Sequence, residues 1–373
     1  MRVTLDEICT LACEKANVDS IEKSSYVSTE SMLPNKGGIS SPSSIPDKGK
    51  VTRYRKGDTL ISNIRPYFKK IWHADKNGGC SNDVLVLRPS KSCDSDYLYW
   101  ALSDDAFFDY MTATSKGTKM PRGDKAAIMR YQLPKHEKPQ QLKIAALLQP
   151  LQEQIILNNQ TNGYLAAICE SLAEKQQNTL VPLEGLCQQV NEKTDFSEAN
   201  FDSYISTESL LPEKMGRQTA SSLPKSGKVT KYQAGDTLVS NIRPYFKKVW
   251  FADCNGTCSG DVIVFRARNA SMSPYLYSLI RSDSFFEYVM LGSKGTKMPR
   301  GDKKQMMTYP VAASCNQVNL QLITFCVHQL TKNARESVML SELRDTLLPK
   351  LMSGEIDVSK VDLTQPNSHL YEN

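Results

Sequence analysis

At 373 residues, 40% hydrophobic and 23% charged, the chain has the balance of a globular protein with room for two or three domains, which excludes a disordered or fibrous one. A formal charge of +6 suits a polyanionic partner without establishing one. Charges interrupt every longer apolar stretch and no apolar run follows Met1-Arg2-Val3, so neither a membrane span nor a signal peptide is expected, and the location expected is cytoplasmic.

In chain order, Val3 to Cys9 opens with a short strand or turn feeding a helix, and Val181 to Cys187 lines up with it 178 residues later. Tyr26 to Pro34 leads into a loop rich in Ser, Pro, Gly and Lys over Asn35 to Lys50, and Tyr204 to Pro212 does the same over Glu213 to Lys228. Short β-type runs follow at Val51 to Tyr54, Gly57 to Ser62, Lys69 to Ala74 and Asp83 to Arg88, with Gly57-Asp58 and Asn77-Gly78-Gly79 read as turns. A meander or barrel-like sheet is the expectation, repeated in the second copy through Gly235-Asp236 and Asn255-Gly256. Helical spacing then marks Tyr97 to Leu102, Asp105 to Met111, Tyr275 to Ile280 and Ser284 to Met290. Each globular half is therefore α+β.

From Glu137 to Gln176 there is no strand signal, and apolar residues at Leu142, Ala145, Leu148, Leu151, Ile155, Leu165, Ile168 and Leu172 keep a three-and-four spacing. This predicts a long amphipathic helix that Pro150 should kink or interrupt. A second runs from Asn316 to Leu351, with Ser353-Gly354 as its stop. Two helices too thin to have a core most simply pack against each other. The expected division is 1–135 and 179–312 for the globular domains, 136–178 and 313–355 for the spacer helices, and 356–373 for a tail.

The eleven residues Ser115 to Lys125 return unchanged as Ser293 to Lys303, and Ser62 to Lys70 returns as Ser240 to Lys248 at the same separation of 178. Between Tyr54–Lys70 and its counterpart fourteen of seventeen positions agree, whereas over Glu137–Gln176 only two of forty do. Age alone does not give both numbers. The globular halves are held to the same residues while the helices need only the same pattern, as spacers do.

Ten cysteines raise the question of a metal or a disulfide framework, but only Cys9 and Cys80 recur as cysteine, in Cys187 and Cys258, and the four histidines stand singly. No metal is expected, and the thiols read as reduced and partly buried.

Both recurring runs concentrate cations and small residues in loop-like sequence. Arg65, Lys69, Lys70, Lys116, Lys119, Arg122 and Lys125 supply phosphate contacts in the first half, and Ser62, Asn63, Arg65, Tyr67 and Thr118 carry polar groups able to read base edges. The second half repeats them as Arg243, Lys247, Lys248, Lys294, Lys297, Arg300 and Lys303, with Ser240, Asn241, Tyr245 and Thr296. The plainer alternative is that Pro66-Tyr67-Phe68 closes the core and the lysines form a solvated face. Catalytic readings fail on their own motifs. Gly117 to Lys125 is one residue too long for a phosphate-binding loop, with Asp124 before the lysine and no Ser or Thr after it. Ile64-Arg65-Pro66-Tyr67 has arginine where an adenine methyltransferase has proline, and no carboxylate pair, Ser-His-Asp or Cys-His set recurs, so no catalytic residue is assigned.

Pro139 to Asn159, Leu343 to Ile356, and the Gly-Thr-x-x-Pro elements at Gly117 to Pro121 and Gly295 to Pro299 resemble the specificity subunits of type I restriction-modification systems, over essentially the whole chain. The resemblance implies two target-recognition domains, each binding half of a bipartite DNA site, separated by an antiparallel coiled coil related by a pseudo-twofold internal repeat. It also implies a non-catalytic chain that binds no cofactor. Two methyltransferase subunits carrying S-adenosylmethionine would dock on it, with restriction subunits possible beside them. Family members usually have unlike halves. Halves this alike imply a near-palindromic interrupted target. A self-contained DNA-modifying enzyme and a nucleic-acid-binding adaptor are the alternatives.

Overall fold

The computed structural model describes residues 2–40, 44–174 and 179–361; the last residues expected in the first spacer helix and most of the expected tail lie outside them. The chain is α+β and divides into two compact units, Met1–Glu153 with Leu340–Asn373, and Gln154–Met339.

The first unit runs β1 (Arg2–Thr4), α1 (Leu5–Ile8), β2 (Cys9–Leu11), β3 (Lys15–Asn17), β4 (Tyr26–Val27), β5 (Lys50–Tyr54), β6 (Thr59–Ser62), β7 (Ile71–His73), β8 (Gly78–Cys80) and β9 (Val84–Pro89). Then come α2 (Ser95–Ser103), α3 (Asp105–Ala113), α4 (Lys125–Met129), β10 (Gln132–Pro134) and the start of α5 (Lys138–Glu174). The single sheet expected from the sequence is in fact two four-stranded sheets, ordered β2-β9-β6-β7 and β3-β5-β8-β4, with β1 and β10 paired separately. Every pairing is antiparallel except β4 with β8.

The residues expected as a turn at Asn77-Gly78-Gly79 include a strand, and the reason is packing. A Cβ on Gly78 would stand 2.2 Å from the Ser25 carbonyl oxygen and 2.4 Å from the Tyr54 hydroxyl, so β8 closes on Tyr54 only without a side chain. Tyr54 then donates to the Ser25 carbonyl at 2.8 Å and meets Trp72 edge-on, with ring centroids 5.6 Å apart.

The second unit repeats the order in β11 (Leu180–Pro182), β12 (Cys187–Gln189), β13 (Lys193–Asp195), β14 (Tyr204–Ile205), β15 (Lys228–Tyr232), β16 (Thr237–Ser240), β17 (Val249–Phe251), β18 (Gly256–Cys258) and β19 (Val262–Ala267). It continues through α6 (Ser273–Arg281), α7 (Asp283–Leu291), α8 (Lys303–Met307), β20 (Pro310–Ala312) and the start of α9 (Gln317–Ser353). Its sheets have the matching orders β12-β19-β16-β17 and β13-β15-β18-β14. Where α1 stands in the first copy, the second has only a 3-10 turn at Leu183–Gly185.

Each unit builds its core from its own sheets and from parts of both long helices. In the first, Ile144, Ala145 and Leu148 of α5 and Leu348, Leu351 and Met352 of α9 join Leu5, Trp100 and Phe107, and Arg344 donates to the Gln152 carboxamide oxygen at 2.7 Å. In the second, Cys169 and Ala173 of α5 and Ile323, Cys326 and Val327 of α9 join Phe265 and Tyr275. There Asn158 donates to Glu336 at 3.0 Å and Asn333 to Asn162 at 3.0 Å. Within each unit the two helices run antiparallel. The interruption expected at Pro150 does not occur, because burial of Ile144, Leu148 and Ile155 around it offsets the lost hydrogen bond and ring clash, a cost of about 3 kcal/mol. α9 ends as its sequence predicts, on Ser353 and a left-handed Gly354 at φ +78°.

Candidate nucleic-acid interface

The two recurring runs are far apart in sequence but meet in space, and they meet the same way in both copies. Asn63 leaves β6 with its N–H on the Asp83 carbonyl at 2.8 Å and its own carbonyl accepting from Gly123 at 3.1 Å, while Arg65 N–H donates to the Pro121 carbonyl at 2.8 Å. Lys116 and Arg122 exchange backbone bonds of 2.8 and 2.9 Å, so residues 117–121 form the tip of a small hairpin loop standing beside the first run. In the second unit Asn241, Gly301, Arg243, Pro299, Lys294 and Arg300 repeat every one of these bonds. Gly123 is required at the seam: a Cβ would lie 2.8 Å from Asn63 Oδ1.

The Pro66–Phe68 segment is a single 3-10 turn held between two non-glycine residues in the left-handed region, Arg65 at φ +51° and Lys69 at +50°; Arg243 and Lys247 repeat this at +50° and +49°. Such conformations cost on the order of 1 kcal/mol or more each and persist where the surroundings over-determine them. Here those surroundings are visible. Asn35 N–H donates to the Phe68 carbonyl and Lys36 N–H to the Lys69 carbonyl, both at 2.9 Å. The Lys69 and Lys36 ammonium groups converge on Asp105, the first residue of α3, at 2.8 and 2.9 Å. In the second unit Glu213 and Lys214 make the backbone bonds, and Lys247 and Lys214 converge on Asp283 at 2.8 and 2.9 Å. The Lys247 bond, helped by Lys214, holds the Asp283 carboxyl down to about 2. Burial pushes the Asp105 carboxyl up, but its bonds to Lys69 and Lys36 outweigh that and leave it below its ordinary value.

The residues expected at the interface therefore divide. Ser62 and Ser240 are buried and donate to the carbonyls of Ile64 and Ile242 at 3.1 Å, and Asn63 and Asn241 are buried at the seam, so all four hold the loops rather than face a ligand. Lys70 and Lys248 spend their ammonium groups on the carbonyls of Thr29 and Thr207, and burial pushes both pKa values down. Lys69 and Lys247 belong to the clamp on Asp105 and Asp283. Arg65 and Arg243 are half-buried, each with a buried Nε that has no hydrogen-bond partner.

The exposed set is smaller. Lys116 and Lys294 reach Asp124 and Asp302 at 2.6 and 3.1 Å, and Arg122 and Arg300 reach Asp83 and Asp261 at 3.1 and 3.3 Å. Among the described residues Lys119, Lys125, Lys297 and Lys303 have no carboxylate within ion-pair distance. Thr118, Thr296, Tyr67 and Tyr245 are exposed beside them.

Sequence reasoning missed the clamp. Its signal was present, since Lys36 and Asp105 recur as Lys214 and Asp283 at the offset of 178. The second unit also has a cavity of about 980 Å³ lined by Asp236, Arg266, Arg268, Lys332 and Arg335. Residues 90, 154 and 157, which answer to Arg268, Lys332 and Arg335, are Ser, Gln and Leu, so the cavity is no part of the duplicated apparatus.

No family model and no curated protein matches the chain. Solved structures are similar to it at low identity. The HsdS subunit from Thermoanaerobacter tengcongensis is 16% identical over 95% of this chain and 97% of its own, with a TM-score of 0.38. The S subunit of a type-I restriction-modification system from M. genitalium is 15% identical over 94% and 96%, with a TM-score of 0.49. A third, from work on complex assembly and conformational transition of the type I R-M system, is 16% identical over 94% and 97%, with a TM-score of 0.38. Identity this low leaves the site to be read from the chain's own residues.

Proposed function

We propose that this chain is the DNA-reading specificity subunit of a type I restriction-modification system. The observation that carries the reading is the duplicated site: two recurring runs, joined by the same backbone bonds in each unit, expose Lys119 and Lys297 on loops and Lys125 and Lys303 at the starts of α4 and α8. Exposed cations in fixed loops contact phosphates and position a duplex, while the neighbouring Thr118, Tyr67, Thr296 and Tyr245 face the bases. Each unit reads one half-site of a bipartite target. The two sites are built from the same residues, which supports half-sites that are nearly alike and a near-palindromic target.

The chain performs no chemistry itself in this reading. Methyltransferase subunits that bind S-adenosylmethionine, and restriction subunits where the system has them, supply it, and the complex works in the cytoplasm. Among the described residues no helix is long and apolar enough to cross a membrane.

The test is competition on the purified chain. Labelled duplex DNA should be displaced by unlabelled duplex and poorly by structured RNA, binding should weaken steeply with salt, and labelled S-adenosylmethionine should not be retained. Equal displacement by RNA, or retention of S-adenosylmethionine by the chain alone, would overturn the reading.

A further inference from the structure

Large apolar side chains are exposed at several places on this chain, as on most protein surfaces. The repeat sorts them. Phe201 is Lys23 in the other copy, Tyr164 answers to Glu342, Leu291 to Ala113, and Leu142 to the half-buried Leu320. Among the described residues only three large apolar positions are exposed in both copies: Tyr67 with Tyr245, Phe68 with Phe246, and Met120 with Met298. All lie in the two recurring runs. Elsewhere exposure is kept in one copy at most; here it is kept in both, at 48% and 45% for the tyrosines and 48% and 49% for the methionines.

The backbone beneath them is fixed. The left-handed residues on either side of the aromatic turn and the carbonyl bonds from the 35–36 loop aim the Tyr67–Phe68 pair, whose rings lie 4.8 Å apart and tilted by 55°, and the second unit's pair at 4.6 Å and 54°. The Arg65-to-Pro121 bond ties the residue before this turn to the residue after Met120, and Arg243-to-Pro299 does so for Met298. A solvated loop tip gains nothing from such rigidity. An apolar group that enters a stack of bases does, because its ordering cost has already been met.

Resting on the DNA-reading proposed above, we propose that Tyr67, Phe68 and Met120, and likewise Tyr245, Phe246 and Met298, form an apolar wedge that enters the duplex at one base step of each half-site and unstacks it. The cations flanking each wedge, Lys119 and Lys125 or Lys297 and Lys303, match a duplex and no apolar protein surface. The wedge selects sequence through the cost of opening a step, which is lowest at pyrimidine–purine steps, rather than through hydrogen bonds to base edges.

The experiment uses the full chain without added partners and duplexes of its target with 2-aminopurine at successive positions in a half-site. Wild type should brighten the probe several-fold at one step in each half. Phe68→Ala combined with Met120→Ala should halve the signal, because nearly alike half-sites let the chain bind in either orientation with one intact wedge, and should weaken target binding about tenfold, while leaving the salt slope and binding to unrelated duplex unchanged. Tyr67→Phe should keep the signal. Tight, salt-sensitive target binding with no brightening at any position would overturn the wedge and leave the DNA-reading standing; no duplex binding at all would overturn both. Because the substituted side chains are exposed, the half of the signal kept by the intact second wedge reports that the variant is folded.

Discussion

The Lys247 ammonium lies 2.8 Å from Oδ1 of Asp283, and 178 residues earlier Lys69 lies 2.8 Å from Oδ2 of Asp105. One ion pair, made twice, fixes the carbonyl end of each aromatic turn to the first turn of a helix, where a carboxylate is also favoured by the helix dipole. The Asp283 carboxyl titrates near 2 in the fold against an ordinary 3.8, so the pair is fully stabilising above about pH 4 and is lost as pH falls through 2. Asp283 is more than half exposed, and screening limits its worth to about 1 kcal/mol or less. Asp283→Asn should therefore lower unfolding free energy by that amount at pH 7, with the gap to wild type closing between pH 4 and pH 2 in urea titrations. A gap independent of pH would mean that shape, not charge, had been removed.

A second carboxylate is buried outright. Asp58 is 2% exposed and accepts from Arg88 Nε at 2.9 Å and Nη2 at 2.7 Å, and from the Arg55 N–H at 2.8 Å; Asp236 and Arg266 repeat the pair. Replacing Arg88 by Met leaves a buried charge without its cation, which costs about 3–5 kcal/mol. Arg88→Met and Arg266→Met should each show that loss in denaturant midpoints at constant slope, and Asp58→Leu with Arg88→Met should lose less than Arg88→Met alone.

Gly78 and Gly163 are both glycines in regular structure, yet they should respond oppositely to alanine. At Gly78 the new Cβ meets the Ser25 oxygen and the Tyr54 hydroxyl, and overpacking of this kind costs about 1–3 kcal/mol. At Gly163, inside α5, nothing stands within 4 Å, and alanine should stabilise by about 0.5–1 kcal/mol through helix propensity. Thermal midpoints of the two variants moving in the same direction would contradict this.

These residues show where the sequence was legible. Strands β5, β6, β7 and β9, helices α2 and α3, and both long helices follow from period and punctuation, whether buried on both faces like β6 or along one stripe like the long helices. Strand β8 was not, since its glycines read as a turn when the Tyr54 ring that demands them is not in view. The repeat pointed to a pair of runs, and in each unit the fold brings the two together. It could not tell Lys119 from Lys70, because a lysine that reaches a backbone carbonyl and one that reaches solvent are written with the same letter. Nor could it show that Ser62 and Asn63 serve the seam, which exists only once the hairpin loop of 117–121 folds against them.

The exposed lysines carry a binding prediction. Lys119→Gln with Lys297→Gln should weaken affinity for every duplex alike and reduce the salt slope by about 1 for each phosphate no longer neutralised. Measured by fluorescence anisotropy across a salt series, a drop in target affinity with an unchanged slope would show that these lysines do not touch phosphate.

The near identity of the two sites bears most directly on what they read. Methylated adenines mapped across the genome of cells carrying this chain and its methyltransferase partner should define one interrupted motif whose halves are nearly the same sequence in opposite orientation. Two unrelated half-sites flanking the gap would contradict it.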